Sequence, residues 1–257
     1  MSRAALILSL QPVRLHCRRL GAPVLLAAAL LSGGCATGGV ATDPLEPVNR
    51  KIYAFNSALD SAIIAPVARG YRDYVPYVLR YSFRSFLSNI NDVWIGTNNL
   101  LQGKPLDALN DWTRVLLNST FGFFGFSDPA SELGYRKHSE NFGQTLGVWG
   151  LPAGPYLVLP VLGPSSVRMA SGLAVDYWVD PMSEIVTRDA PYWGISVADV
   201  IDLRSRLLDA STLIDSAALD EYGFVRDAYL QRTRSAVYDG DPPPLDDEDD
   251  DLPTYKD

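Results

Sequence analysis

Cys35 has the sequence surroundings that point most clearly to a chemical reaction. It ends the segment LLSGGC, which resembles a lipobox, the signal-peptidase site at which a cysteine thiol receives diacylglycerol. Ser32 stands three places before the cysteine, where leucine is usual, and Leu31 lies one place further back. Ala36 follows in place of the aspartate that would oppose sorting to the outer membrane. We therefore predict that Cys35 is lipidated; the alternative is a chance cysteine in a signal peptide that is cut nearby.

Few other side chains are suited to catalysis. Beyond residue 34 the chain has one histidine, His138, within GYRKHSENFG, and it lacks the nucleophile elbow G-x-S-x-G. A phosphate loop, a dinucleotide fingerprint and zinc-ligand spacing are missing as well. We therefore expect His138 to lie on the surface. We predict no enzyme activity, no catalytic residue, no metal and no cofactor, and this disfavours a periplasmic lipid hydrolase.

The first 34 residues have the organisation of a bacterial secretion signal. They contain four arginines and no acidic residue, and an apolar run from Ala22 to Leu31 precedes the small residues before Cys35. This run is shorter than the about 20 apolar residues that a transmembrane helix needs. We predict that residues 1–34 are a lipoprotein signal peptide and that residues 35–42 are a lipidated linker.

The charge of the remaining chain argues against nucleic acid as a partner. Residues 35–257 carry 18 basic and 30 acidic side chains, a net charge of −12, whereas nucleic-acid-binding surfaces are basic. Nine of the acidic residues lie in DGDPPPLDDEDDDLPTYKD, residues 239–257. Such a segment has little apolar surface to bury, so we predict a disordered acidic tail there.

Residues 43–64, DPLEPVNRKIYAFNSALDSAII, predict an amphipathic helix. Asp43 suits the N-cap, Pro44 the first helical position and Glu46 a capping box. An apolar seam and a polar stripe run side by side at helical spacing. The seam consists of Leu45, Val48, Ile52, Phe55, Leu59 and Ile63, and the stripe of Asn49, Tyr53, Asn56 and Asp60. An ordinary surface helix, with its seam packed into a soluble core, fits the same periodicity.

More amphipathic helices follow along the chain. Pro66 and Gly70 predict a break, and RGYRDYVP, residues 69–76, then forms a tight connection. Apolar periodicity predicts helices at residues 79–94, from residue 105, and at 197–218 and 222–237. The sequence therefore predicts a mostly α protein with a single domain at residues 43–238.

Two apolar segments break this helical pattern. TFGFFGF, residues 120–126, places four phenylalanines among two glycines, and residues 143–164 contain five glycines and four prolines. Neither segment is suited to a regular transmembrane helix. We predict no transmembrane span in the mature chain, so any contact with a membrane would come from amphipathic helices and these irregular Gly/Pro-rich segments.

Several blocks together resemble the MlaA (VacJ) family of outer-membrane lipoproteins. The blocks are DPLEPVNRKIYAFN, RGYRDYVP, NNLLQGKPLDALNDWTRVLLNSTFGFFGFSDPAS, ENFGQTLGVWGLPAGPYLVLPVLGPSSVR and RDAYLQR. The resemblance implies a ring-like helical domain in the periplasmic leaflet of the Gram-negative outer membrane, associated with a trimeric porin. It also implies a central amphipathic channel that removes mislocalised phospholipids from the outer leaflet and passes them to a soluble periplasmic carrier, which maintains lipid asymmetry.

The resemblance makes both stripes of the first helix and the irregular segments candidates for the channel lining. A lipid needs a path for its head group as well as its chains, because a charged head group is costly in hydrocarbon. The candidates are Asn49, Tyr53, Phe55, Asn56, Phe123, Phe124, Trp149 and Tyr156. Core packing of the aromatic residues is the alternative. For function, the alternative is a structural envelope lipoprotein that acts as a scaffold or tether without moving lipid.

Overall fold

The computed structural model describes residues 43–217 and 219–244, with the backbone alone at 212–217. Most of these residues are helical, which confirms the predicted fold class. The helices are α1 (Glu46–Leu59), α2 (Ala65–Tyr74), α3 (Tyr77–Leu101), α4 (Pro105–Phe121), α5 (Pro129–Glu132), α6 (Phe142–Val148), α7 (Val167–Val179), α8 (Met182–Ile185), α9 (Ala190–Ala217) and α10 (Glu221–Val237). In this part of the chain, none is both long and apolar enough to span a membrane.

A short β-hairpin accompanies the helices and was not predicted. Its strands β1 (Tyr156–Leu159) and β2 (Gly163–Ser166) pair antiparallel, from Tyr156 opposite Ser166 to Leu159 opposite Gly163. The hairpin forms within the proline-rich and glycine-rich segment, where helical hydrogen bonding is interrupted. The signal peptide, the linker with Cys35, and residues 245–257 of the acidic tail lie outside the described residues.

The start of α1 differs from the sequence-based prediction. The helix begins at Glu46 with Leu45 as N-cap and no side-chain cap, so the predicted N-cap Asp43 and its capping box are wrong. The Asp43 carboxylate accepts hydrogen bonds from the Leu45 amide and from Tyr222 and Asn49. These partners hold Asp43 outside the helix, and a turn separates it from the first helical residue.

Helical structure continues through Pro66 to Tyr74, so the predicted break is wrong, and the connection predicted at residues 69–76 is confined to residues 75–76. A π-helical turn, Asp60–Ile64, joins α1 to α2, and the amide of Ala65 donates to the carbonyl of Asp60. The proline ring normally clashes with the backbone carbonyl four residues earlier, but the wider π-turn changes that spacing. Pro66 also lies at the start of α2, where the missing backbone N–H is tolerated. Arg204 of α9 holds the π-turn through both carboxylate oxygens of Asp60, at 2.8 and 2.7 Å.

Helices α3 and α4 form an antiparallel pair joined by residues 102–104. Their contacts run in opposite directions: Asn99 donates to Asp111 at 2.7 Å and Asn89 donates to Ser119 at 3.1 Å. Both helices begin close to the predicted starts of the second and third helices, and α3 continues to Leu101, beyond its predicted end at residue 94. A long helical hairpin with polar residues along its seam therefore forms one side of the fold.

The fold buries polar side chains and exposes apolar ones. The largest fully buried side chains are Arg114, Asn49, Asn98, Asn99, Thr145, Asp92, Asp111, Asp202 and Ser166. On the outside, Leu106 is 80% exposed and Phe123 is 76% exposed. On α1 the polar stripe faces the interior, whereas Val48, Phe55 and Ile63 of the apolar seam are more than half exposed. The soluble-core interpretation of this seam is therefore wrong.

Two small apolar clusters supplement the polar interior. One consists of Ala65, Ala68 and Leu208, where α2 packs against α9. The other joins α1, β1 and α10, and its buried members are Tyr156, Val158 and Tyr222. Since these clusters are small, most of the inter-helix contact depends on hydrogen bonds and ion pairs between buried polar groups, which stabilise a fold when every group has a partner.

Candidate functional site

Two of the predicted site residues, Asn49 and Asn56, attach α1 to the β-hairpin. The Asn49 side chain donates to the carbonyl of Tyr156 at 3.0 Å and accepts from the amide of Val158 at 2.9 Å. Asn56 makes the same pair of bonds with the Leu159 carbonyl and the Val161 amide, at 2.9 and 2.8 Å. Each side-chain amide thus takes the place of a neighbouring strand along the open edge of β1.

Tyr53 and Tyr156 belong to an aromatic cluster between α1, the hairpin and α10. The hydroxyl of Tyr53 donates to Glu221 at 2.7 Å, and the rings of Tyr222 and Tyr229 lie edge-on to the ring of Tyr156. Burial raises the pKa of Tyr156 to about 12. The cluster fixes the position of α10 relative to α1.

The other four predicted residues form exposed apolar surface. Phe55, Phe123, Phe124 and Trp149 are each more than half exposed. Phe123 and Phe124 have φ angles of 52° and 61°, in the left-handed region that side chains rarely occupy. Gly125 follows them against α3, where a Cβ atom would lie 2.7 Å from the Nδ2 atom of Asn89. The turn therefore presses its backbone onto α3 and points two phenylalanines outward.

A cavity of about 570 Å³, here called the amphipathic cavity, lies between α3, residues 137–139, α8 and α9. Its volume is in the range typical of small-molecule sites, about 300–1,000 Å³. One part of its wall is apolar and consists of Leu87, Ile90, Ile95, Met182 and Ile195. The rest is polar and includes Arg84, Lys137 and Arg206.

Asp202 organises the positive side of this cavity. Its side chain is fully buried and accepts hydrogen bonds from Arg84 Nε at 3.1 Å and from the Tyr71 hydroxyl at 3.3 Å. Arg206 Nε lies 3.2 Å from the same carboxylate. One carboxylate therefore positions two guanidinium groups that remain partly exposed at the cavity, where they are suited to bind an anionic group.

A network of buried ion pairs holds Lys137 in the cavity wall. Lys137 contacts Asp92, and the second oxygen of Asp92 lies 3.3 Å from Arg114 Nε. Arg114 also donates to both oxygens of Asp128, at 3.1 and 2.9 Å, and to the carbonyl of Tyr135 at 2.7 Å. Burial raises the pKa of Asp92, although Lys137 and Arg114 act in the opposite direction. The network fixes the segment that carries Lys137 to the α3–α4 pair.

His138 is largely buried beside two carboxylates of α4, so the predicted surface position is wrong. Its side chain is 15% exposed, with Nδ1 2.8 Å from Asp111 and Nε2 3.7 Å from Asp107. These carboxylates belong to α4, which the sequence pattern could not place beside residue 138. Within the described ranges, no group of three or more histidine, cysteine, aspartate or glutamate side chains is arranged to hold a metal ion.

The amphipathic cavity is formed by residues other than the eight channel candidates, all of which lie in the described part of the chain. Arg84 and Ser88 are the members that a sequence pattern could have identified, because they recur on the polar face of α3. Lys137 and Arg206 stand in no comparable pattern. The channel-lining roles of the eight candidates remain predictions.

Comparison with known proteins identifies the family. A family model described as "MlaA lipoprotein" matches residues 41–236. The chain belongs to the MlaA lipoprotein family. A relative from Escherichia coli strain K12, named intermembrane phospholipid transport system lipoprotein MlaA, is 36% identical over 211 residues, which cover 77% of this chain and 81% of the relative.

A more distant relative and a solved structure extend this similarity. The Haemophilus influenzae protein of the same name is 29% identical over 232 residues, covering 84% of this chain and 89% of the relative. A solved structure, reported as "Structural basis for maintenance of bacterial outer membrane lipid asymmetry", superposes with a TM-score of 0.68 and 33% identity, and covers 76% of this chain and 99% of that chain. The likeness to the MlaA family that the sequence blocks indicated is confirmed.

Proposed function

We propose that this protein is an outer-membrane lipoprotein that removes mislocalised phospholipids from the outer leaflet and passes them to a soluble periplasmic carrier. The observation that carries the proposal is an amphipathic cavity inside a body that buries many polar side chains and exposes many large apolar ones. The name of the Escherichia coli relative supports phospholipid as the cargo. Transport of this kind would maintain the lipid asymmetry of the outer membrane.

The two parts of the cavity wall match the two parts of a phospholipid. Arg84, Arg206 and Lys137 would contact the phosphate, since arginine donors suit phosphate oxygens. Ile90, Ile195 and their apolar neighbours would contact the first carbons of the acyl chains. A two-chain phospholipid is larger than a drug-sized ligand, so the rest of its chains would lie outside the cavity along apolar surface.

The exposed apolar residues would place the body in the periplasmic leaflet of the outer membrane. Phe55, Phe123, Phe124 and Trp149 are suited to contact with acyl chains, which bury such side chains favourably. Lipidation at Cys35 would add a stable anchor. A trimeric porin, as the family resemblance implies, would cover part of the same apolar surface.

Transfer through the protein would follow differential affinity alone. The cavity holds cations, carboxylates and hydroxyls, and the sequence lacks a phosphate loop and a nucleophile elbow. Lipid would therefore leave chemically unchanged, without nucleotide hydrolysis. In this scheme the direction of flow is set by the carrier, which binds lipid more tightly than the cavity does.

The proposal is tested with vesicles that contain the lipidated protein and a porin, with fluorescent phospholipid inside the bilayer and purified carrier outside. Ser139 is exposed and lines the cavity, so Ser139→Trp should obstruct it and slow transfer at least tenfold without unfolding the protein. Arg206→Gln, which removes a partly exposed cation from the wall, should slow transfer several-fold.

Matched variants separate a blocked cavity from a general defect. Ser57→Trp places the same ring on an exposed face of α1, and Arg232→Gln removes the same charge from an exposed position on α10. Both should transfer lipid at the wild-type rate. Equal rates in all four variants would refute transport through this cavity, and a wild-type protein that moves no lipid would support the scaffold. Release of free fatty acid would indicate a hydrolase.

A further inference from the structure

A second cavity, here called the Arg168 cavity, has a volume of about 400 Å³ and lies between α6, the segment after it, the start of α7 and α10. Its lining includes two arginines, Arg168 and Arg234, and the hydroxyls of Ser166, Tyr229 and Thr233. No aspartate or glutamate of the described residues lines it. In a chain with a net charge of −8, a wall with two cations and no carboxylate favours an anion.

Arg168 is buried in this wall without a counter-ion. It is 7% exposed, and no described carboxylate forms an ion pair with it. One of its nitrogen atoms, Nη1, donates to the carbonyl of Leu151 at 2.9 Å, whereas the buried Nε has no hydrogen-bond partner. Burial lowers its pKa. A buried unpaired cation is costly to a fold, and buried charges are ordinarily paired.

A second unpartnered donor lies in the same wall. The hydroxyl of Tyr229 is buried and has no hydrogen-bond partner. Tyr229, Thr233 and Arg234 recur at helical spacing on α10, which points one polar face at the cavity. Donors on α7 and donors on α10 therefore line the cavity from two sides, and a phosphate offers them more acceptor oxygens than a carboxylate does.

The backbone of α6 is shaped to admit the guanidinium group. A Cβ atom on Gly147 would lie 2.9 Å from Cζ of Arg168 and 2.8 Å from a methyl carbon of Val237. Glycine at this position thus lets Arg168 lie flat against α6 with its donors available. Any side chain here would displace the arginine.

We infer that the Arg168 cavity is a binding site for the oxyanion of a phosphate ester, separate from the amphipathic cavity. Arg168 would supply the charge and Tyr229 would donate from α10. Arg234, whose Nη2 donates to the carbonyl of Pro243, would add a second positive charge. The phosphate of a phospholipid head group and a free phosphate share this chemistry. The inference is independent of the proposed transport, because it is measured as equilibrium binding without a carrier.

Calorimetric titration of the purified, detergent-solubilised full-length protein tests the inference with three probes. These are inorganic phosphate, a short-chain phosphatidylglycerol below its micelle concentration, and acetate, each against a sodium chloride blank of equal ionic strength. We expect saturable phosphate binding that acetate does not reproduce. If the short-chain lipid binds more tightly than phosphate, the natural source is a lipid head group; if it binds more weakly, the source is a free phosphate.

Three variants assign the binding to this cavity. Arg168→Gln should weaken phosphate binding at least tenfold, and Gly147→Ala should weaken it by displacing the guanidinium group. Tyr229→Phe removes a hydroxyl that has no hydrogen-bond partner within the protein, so it should not lower stability. If Tyr229 were only structural, phosphate affinity would stay unchanged, whereas we expect it to fall several-fold. Arg232→Gln, an exposed residue of the same helix, should bind as the wild type does.

Three results would overturn the inference. One is the absence of saturable phosphate binding to the folded wild-type protein. Another is equal affinity in Tyr229→Phe, Arg232→Gln and the wild type, since Tyr229→Phe is expected to fold even if Arg168→Gln does not. Acetate binding as tight as phosphate binding would also reject a phosphate site.

Discussion

At the scale of single residues, Arg114 is the side chain on which the polar interior depends most. It is 1% exposed and holds Asp92 and Asp128, which come from different parts of the chain. Arg114→Gln should lower the free energy of unfolding by about 3–5 kcal/mol, because it removes the charge shared by two carboxylates and leaves the buried Asp92 with Lys137 as its remaining ion pair. Urea unfolding in a fixed detergent, followed by circular dichroism, measures this loss.

The matched control is Arg232→Gln, which removes an arginine from an exposed position on α10. We expect a change within about 0.5 kcal/mol, as for most surface substitutions. A loss below about 1 kcal/mol for Arg114→Gln would mean that water replaces the guanidinium group and that the interior is wetter than its burial indicates.

At the scale of elements, substitutions of Asn49 and Asn56 measure how much the contact between α1 and the hairpin contributes to the free energy of unfolding. Both make the same two bonds to the backbone, but Asn49 is buried and Asn56 is partly exposed. Asn49→Leu should cost about 2–4 kcal/mol, since a buried amide and carbonyl lose their partners. Asn56→Leu should cost less than about 1.5 kcal/mol, because water can reach the groups it leaves. Equal losses in the unfolding free energy of the two variants would contradict this account.

Phe124, in the turn after α4, should contribute to membrane contact but not to stability. Phe124 is 71% exposed at a φ of 61°, so Phe124→Gly should leave the unfolding free energy unchanged or raise it by up to about 1 kcal/mol. Binding to phospholipid vesicles should fall at the same time. As the control, Phe126→Ala should lower stability, because Phe126 stacks on Phe86 with ring centroids 4.9 Å apart. A loss of stability in Phe124→Gly would show that the exposed ring packs within the protein.

The five longest helices of this fold, α1, α3, α4, α9 and α10, could be predicted from the sequence, whereas α2, the shorter helices α5 to α8 and the exact ends of several helices could not. Apolar periodicity placed α4 and α10 close to their observed bounds, whereas α3 ends seven residues after its predicted end and α9 begins seven residues before its predicted start. Pro66 was misleading because the π-turn before it depends on Arg204, more than 100 residues away. Asp43 was misleading because Tyr222 and Asn49 bind its carboxylate. Long-range contacts outweighed the local pattern in both cases.

At the scale of the whole molecule, the sequence gives the two faces of each helix but not which face is outside. Both stripes of the first helix, including Asn49, Phe55 and Asn56, were expected to line a channel, because a lipid needs a path for its head group as well as its chains. In the fold the asparagines hold the hairpin, and the amphipathic cavity is lined by other residues, among them Arg84, Lys137 and Arg206; the channel-lining roles of the asparagines remain predictions. These three come from separate segments, and only their packing in the fold brings them together.

Because the fold exposes apolar side chains, one face of α4 is a candidate for contact with lipid. Leu106, Leu109 and Leu116 share one exposed face of this helix, at 80%, 60% and 69% exposure. If this face lies in the acyl-chain region, replacing all three with glutamine should weaken vesicle binding more than about tenfold, because each buried leucine contributes about 1.5–3 kcal/mol. Folding should be unaffected, since the three side chains make little internal contact.

The measurement is co-flotation with phosphatidylethanolamine and phosphatidylglycerol vesicles, with Cys35→Ser as the background so that no acyl anchor obscures the result. A triple substitution to methionine keeps the apolar surface and should bind as the parent does, which separates hydrophobicity from any change of shape. Thermal unfolding of all three proteins must coincide for the comparison to hold. If the glutamine variant floats with the vesicles as well as the methionine variant does, the exposed face of α4 is covered by protein, and the porin becomes the partner to test against it.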